Sequence, residues 1–163
     1  MDNVDKLQLV GLILAQLEKD RELLLQAAGA AHAAATHEEN VPDSKYETLS
    51  IEASYIAQGQ ANRAQEIGLA LENFRGLELK TFPADSAIRL GALVVLEEED
   101  GQRRRLFIGP AAGGMRLNCA GAEIMVITPD SPLGGELLGK RRGDAFELTL
   151  ASQQREYEIL AVC

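Results

Sequence analysis

The stretch "TPDSPLGGELLGKRRGDAFEL", Thr128 to Leu148, packs a helix start, a helix stop and a strand start into one short run. Ser131 precedes Pro132. A serine at that place accepts a hydrogen bond from a backbone N–H of the first turn, and a proline at the first helical position loses nothing, because its missing N–H would have had no partner. The apolar run Leu133 to Leu138 then reads as a helix of a turn or slightly more, closed by Gly139. Beyond the basic turn, Phe146 to Leu150 reads as a strand.

Working outward, further short β-like runs appear at Ala92–Glu97, Arg105–Gly109, Ile124–Thr128 and Glu156–Val162. "EEDGQ" at 98–102 is an Asp-Gly turn, so its flanking strands should pair as a hairpin. "GPAAGGMRL", from Gly109, reads as a flexible connector. Residues 81–163 therefore predict an α+β domain of ~80 residues, a small antiparallel sheet with one short helix.

The first half has a different period. From Val4 to Ala35 there is almost no helix breaker. Leu7, Val10, Leu14, Leu17, Leu24, Ala28, Ala31 and Ala35 follow three- and four-residue steps that Arg21 interrupts once, a heptad-like seam. A second run, Leu49, Ala53, Ile56, Gln60, Arg63, Ile67, Ala70 and Phe74, suggests a partner helix with a weaker seam. The connector Thr36 to Asp43 suits an antiparallel pair. Residues 1–80 thus predict a coiled-coil hairpin with its tip at 36–47. Two helices of ~30 residues would give a rod of ~45 Å.

Composition narrows the function classes. The net charge of −9 disfavours a stand-alone nucleic-acid or membrane-surface role. Residues 1–80 carry 13 acidic and 7 basic residues, and residues 81–163 carry 12 and 9, so a polyanion would meet the second half more readily. Cys119 and Cys163 are far apart, and His32 and His37 both lie in the first half; a zinc site wants about four ligands. The N-terminal apolar run starts acidic and is followed at once by polar residues, which fits neither a signal peptide nor a membrane span. A reducing cytoplasm is the expected location.

Catalytic motifs are missing. The sequence holds no GxSxG and no P-loop, and its glycine clusters lack the strand–GxGxxG–helix setting of a nucleotide site. Arg103, Arg104 and Arg105, and Lys140 to Arg142, are short basic clusters. Each reads either as a solubilising strand end or turn, or as a patch for phosphate or an acidic partner. At the tip, Glu38, Glu39, Asp43 and Glu47 surround Pro42. Asp43 or Ser44 suits the cap of the second helix, with Glu47 at capping-box spacing from Ser44. Glu38 and Glu39 lack that explanation, because negative charge at a helix C-terminus opposes the dipole.

Ser131-Pro132-Leu133-Gly134, Leu137-Leu138-Gly139-Lys140, Gly143-Asp144 and the closing Tyr157-Glu158-Ile159 together resemble the C-terminal domain of the GreA/GreB family of bacterial transcript-cleavage elongation factors. A long helical hairpin ahead of that domain is also what the family has. The resemblance implies an antiparallel helical hairpin followed by a domain similar to FK506-binding proteins. A prolyl-isomerase role would want an aromatic-lined pocket, and the second half offers only Phe82, Phe107, Phe146 and Tyr157.

The same resemblance implies a partner, bacterial RNA polymerase, with indirect contact to nascent RNA or DNA. The globular domain would dock at the rim of the secondary channel, using Ser131, Pro132, Leu133, Gly134, Lys140 and Arg141. The hairpin would enter the channel, and tip acids would help hold a second Mg²⁺ at the polymerase active site. Two-metal phosphoryl chemistry needs hard oxygen ligands there. The chain would then be no enzyme and would hold no stable metal or cofactor of its own. Two alignments of the tip stay open. If Tyr46 takes the family tyrosine's place, the acidic pair falls near Glu39 and Asp43. If the second helix is aligned without gaps, Tyr46 and Leu49 occupy the acidic places and the pair is absent. A monomer is the expected state. The alternatives are a coiled-coil adaptor outside transcription, a dimer through the long helices, and a channel-binding inhibitor without cleavage activity.

Overall fold

The computed structural model describes the backbone of residues 4–38 and 44–163 and the side chains of 4–33 and 48–163. Two long helices lead, α1 (Lys6–Glu38) and α2 (Ser44–Arg75), of 33 and 32 residues. Neither contains a proline. Asp5 starts α1, its carboxylate accepting from the Leu7 N–H at 2.9 Å, so one otherwise unpaired donor of the first turn is satisfied.

The chain divides into two compact units, Leu14–Glu72 and the combination of Met1–Ile13 with Asn73–Cys163. In the helical unit the seam runs on alternating steps of three and four. On α2, Ser50, Ala57, Ala64 and Leu71 are buried, and Ala53, Gln60 and Ile67 between them are half-buried. On α1, Leu17 and Ala28 are buried and Leu14, Leu24 and Ala31 half-buried. The α1 seam therefore follows the sequence pattern over this stretch, whereas Leu7, nearer its start, is 72% exposed.

Of the expected α2 pattern, Ala53, Gln60 and Ile67 lie in the seam, and the positions that alternate with them shift by one residue, from Leu49, Ile56, Arg63 and Ala70 to Ser50, Ala57, Ala64 and Leu71. Leu49 and Ile56 are exposed, at 42% and 56%. The physical reason is size. Ser50, Ala57 and Ala64 let two helices approach closely, and the bulkier Leu49 and Ile56 fall beside the seam rather than in it. Arg21, which breaks the α1 series, places its guanidinium 4.0 Å from where a side chain on Gly68 would begin. The glycine leaves room for it.

The other unit is built on a six-stranded sheet: β1 (Leu93–Glu98), β2 (Arg103–Ile108), β3 (Arg116–Cys119), β4 (Ala122–Ile127), β5 (Ala145–Leu150) and β6 (Gln153–Val162), with α3 (Pro132–Leu137) between β4 and β5. The spatial order is β3-β4-β2-β1-β6-β5. The expected strands and the 98–102 turn are present, with Gly101 at φ +82° and the hairpin paired Leu93↔Phe107 to Glu97↔Arg103.

Two features depart from the expected antiparallel sheet. β3 begins at the end of the segment read as a connector, at Arg116, and continues past it to Cys119. It pairs antiparallel with β4 through the two-residue turn Ala120–Gly121. That reversal brings β4 back in the direction of β2, so β2 and β4 are parallel, Arg105↔Ile124 to Ile108↔Ile127. The sheet is mixed.

Val94, Leu96, Leu106, Ile108 and Ile159 face a core closed by Leu133 and Leu137 of α3. On the opposite face Phe107, Ile124 and Val126 are also buried. Gly109 sits tightly there: a β-carbon on it would lie 2.9 Å from Val126 Cγ1 and 3.1 Å from the Phe74 ring. Among the described residues no helix is long and apolar enough to cross a membrane.

Candidate functional site

The Ser131–Gly139 element is built locally. Ser131 Oγ accepts from the Gly134 N–H at 3.0 Å and donates to the Thr128 carbonyl at 2.7 Å. Pro132 follows at the first helical position. Gly134 is required because a β-carbon there would come within 1.9 Å of the Thr128 carbonyl oxygen, a contact that only backbone movement relieves. Gly139 ends the helix at φ +83°, and its N–H donates to Ile88 O at 2.9 Å. Lys140 O in turn accepts from the Ile88 N–H at 2.8 Å. The element is thus laced to the strap that carries Ile88, itself fully buried.

This construction sorts the expected docking residues. Leu133 and Gly134 are buried, so in this structure they shape the loop and fill the core and do not offer a docking surface. Ser131 is engaged as a cap. Pro132 and Arg141 are exposed and Lys140 half-exposed. Lys140 pairs with Glu136 at 3.5 Å and lies 5.6 Å above the Phe146 ring. Arg141 Nη1 donates to Asp85 O at 2.6 Å, and its backbone N–H donates to Asp144 at 2.8 Å. The surface available here is Pro132 with the Lys140–Arg141 turn.

The arginine run of β2 splits across the strand, as alternation requires. Arg103 meets Glu97 at 2.9 Å on one face. Arg104 lies on the other, where Glu98 is held between two guanidiniums, with Arg155 Nη1 at 3.2 Å from its second oxygen. The Arg104–Glu98 contact is an ion pair rather than a directed hydrogen bond. The Glu98 side chain is only 4% exposed, so this triad holds a carboxylate that the sequence marked merely as part of a turn. Arg103, Arg105 and Arg116 line a cavity of about 320 Å³ together with Glu123. Arg116 and Glu123 stand 3.6 Å apart, both largely in solvent.

A larger groove, about 520 Å³, is lined by Glu97, Glu98 and Glu99, by Glu147 of β5 and by Glu156 and Glu158 of β6, together with Phe146 and Tyr157. Those rings stack with centroids 5.3 Å apart. The cross-strand register sets Glu97 opposite Glu158 and Glu147 opposite Glu156, like-charge pairs that oppose sheet formation. The Glu156 carboxyl is raised above its ordinary value by a hydrogen bond with Glu147 and by the charges of Glu147 and Glu99. Period-two alternation in "EEED" (97–100) and "REYE" (155–158) carries this signal, which a search for catalytic motifs passes over.

Glu39 and Asp43 lie outside the described residues, and Glu38 is described only as the last residue of α1. Among the described residues no group of three or more His, Cys, Asp or Glu is placed to hold a metal ion. Cys119 and Cys163 are free.

The family profile described as "Transcription elongation factor, GreA/GreB, C-term" matches residues 83–163, which contain every strand and the capped α3. The chain is a divergent member of the GreA/GreB family. The divergence shows in the relatives of this GreA/GreB protein. It is 26% identical over 144 residues to the transcription elongation factor GreA of Xanthomonas campestris, spanning 87% of this chain and 82% of that one. It is 30% identical over 100 residues to GreA of Helicobacter hepaticus, spanning 61% and 58%. Among solved structures, Gfh1 of Thermus aquaticus is 26% identical, covering 93% of this chain and 92% of that one, with a TM-score of 0.41. GreA factor homolog 1 of Thermus thermophilus is 22% identical over 94% of each chain, with a TM-score of 0.40.

Proposed function

We propose that this GreA/GreB protein binds bacterial RNA polymerase at its secondary channel and regulates transcript elongation. The observation that supports this most is the family match over residues 83–163, on a domain whose helix α3 is built as that motif demands. The Pro132 and Lys140–Arg141 surface would dock at the channel rim. The helices of 33 and 32 residues are each long enough, at about 1.5 Å per residue, to carry a carboxylate to a site that a globular domain cannot reach. Glu38, Glu39 and Asp43 would then help hold Mg²⁺ against a backtracked transcript. The polymerase owns the catalytic metal, so the protein acts as a cofactor of that enzyme and not as one itself.

A second reading is a channel-binding inhibitor. It is favoured by the gap-free alignment that sets Tyr46 and Leu49 in the two acidic places. One experiment separates the readings. Arrested elongation complexes are incubated with the wild type, Glu39→Ala and Asp43→Ala. Shortening of the transcript by the wild type, lost in the variants with binding retained, supports cleavage. Competition with another secondary-channel factor without shortening supports inhibition. Neither shortening nor competition removes the channel from the proposal altogether.

A further inference from the structure

β5 is an edge strand, paired to β6 on one side only. The turn Ala151–Ser152, with φ of 50° and 66°, joins the two as a two-residue hairpin. In such a hairpin the closing pair, here Leu150↔Gln153, is hydrogen-bonded, and the pattern then alternates. Leu148 and Phe146 therefore also bond inward. Ala145, Glu147 and Thr149 turn their N–H and C=O groups to the outer edge, and all three residues are exposed. Natural sheets protect such edges with charged side chains, a bulge, a proline or a covering element. Among the described residues of its own unit, β5 carries one charge, Glu147, and neither a bulge nor a proline, and its sequence AFELTL pairs with β6 in unbroken register.

The side chains beside this edge select the occupant. One face carries Phe146 and Leu148, both half-buried, with the Phe146–Tyr157 stack. The other carries Glu147, with Glu156 opposite it and Glu158 further along β6. A second copy of β5 would bring its own Glu147 to this face, adding negative charge to a chain that already carries −9. A basic segment would instead neutralise the like-charge pairs.

We propose that the outer edge of β5 receives an extended segment of a partner protein as an added strand, in which Lys or Arg alternates with an apolar residue. The backbone pairs with Ala145, Glu147 and Thr149. The basic side chains lie over Glu147 and Glu156, and the apolar ones over Phe146 and Leu148. Main-chain bonds supply affinity and the alternating side chains supply specificity, the usual division in strand addition. This surface does not depend on the polymerase reading above.

The test uses the full chain and a fluorescent peptide of roughly eight residues alternating Lys and Val, a common strand length, read by anisotropy at about 50 mM salt, where screening is weak. Saturable binding is expected, with no binding of the matching Glu–Val peptide. Glu147→Lys with Glu156→Lys should weaken it at least about tenfold. Thr149→Pro removes an outward N–H while leaving the inward ladder intact, and should weaken it to a similar degree. Should that variant not fold, a Lys–Val peptide N-methylated at alternate residues makes the same test on the wild type. Three results would overturn the proposal: no binding at about 1 mM peptide, unchanged binding by the charge-reversed protein, or equal affinity for the N-methylated peptide. The last would mean charge attraction without strand pairing. A dimer joined through β5 in the free protein would also refute it, because the edge would already be filled.

Discussion

The Ser131–Gly139 element and the α2 seam are both legible patterns, yet the structure follows one residue by residue and shifts every second position of the other. In the first, the bonds that build the helix start are near in sequence, and only its end is tied to the distant Ile88. Ser131 bonds Gly134, and Gly134 is fixed by Thr128. In the second, the partner is another helix, and the face it selects depends on how closely it can approach. Ser50, Ala57 and Ala64 are buried while the larger Leu49 and Ile56 stay out. Local hydrogen-bond geometry tolerates little substitution. A helix seam tolerates more, in graded steps.

Gly134→Ala should be the most damaging change. A β-carbon 1.9 Å from a carbonyl oxygen forces the backbone apart, and a loss of about 3 kcal/mol is expected, at the upper end of overpacking costs. Urea unfolding measures it, and a loss below about 1 kcal/mol would show that the loop yields. Ala64→Leu tests the seam in the same way. Ala64 is 2% exposed, so the added isopropyl group of leucine must push the helices apart, at about 2 kcal/mol. A neutral outcome would place the true seam elsewhere.

Ser131→Ala removes the cap acceptor and should cost about 1 kcal/mol, while Ser131→Asp should retain most of the stability. Lys6 supplies a pH test within the globular unit. Burial pushes its amine from 10.5 down to about 8, although its Nζ donates to Lys80 O at 3.0 Å and lies 4.3 Å above the Phe82 ring. The folded state therefore releases this proton before the unfolded state does. Stability should rise as pH increases from about 8 toward 10.5. Because the side chain is only half-buried, the gain is on the order of 1 kcal/mol once solvent screening is allowed for. Lys6→Met should flatten that rise relative to wild type in melts across the range. The smallest effect belongs to Ile56→Ser. With 56% of the side chain exposed, the change should stay within about 0.5 kcal/mol, whereas a seam position would lose several times that.

The candidate site was legible to the same uneven degree. Ser131, Pro132 and Gly139 announce a capped helix and its stop, because caps obey rules that span only a few residues. The burial of Leu133 and Gly134 was not legible, because it needs the Ile88 strap and the sheet behind them. The same holds for Glu98. In the sequence it belongs to a turn, and only the register of β1 with β6 brings Arg155 to it.

By itself, the sequence determined the order of elements: two long helices, then short strands around one capped helix. Periodicity, breakers and glycine turns act within a few residues, and the chain carries them explicitly. Tertiary structure alone decided which small residues complete the α2 seam, that β4 runs parallel to β2, and that six glutamates from β1 and its turn, β5 and β6 line one groove. These depend on partners far apart in the chain. Their selection follows from how closely helices can pack and from which strand edges remain to be paired, neither of which a local pattern contains.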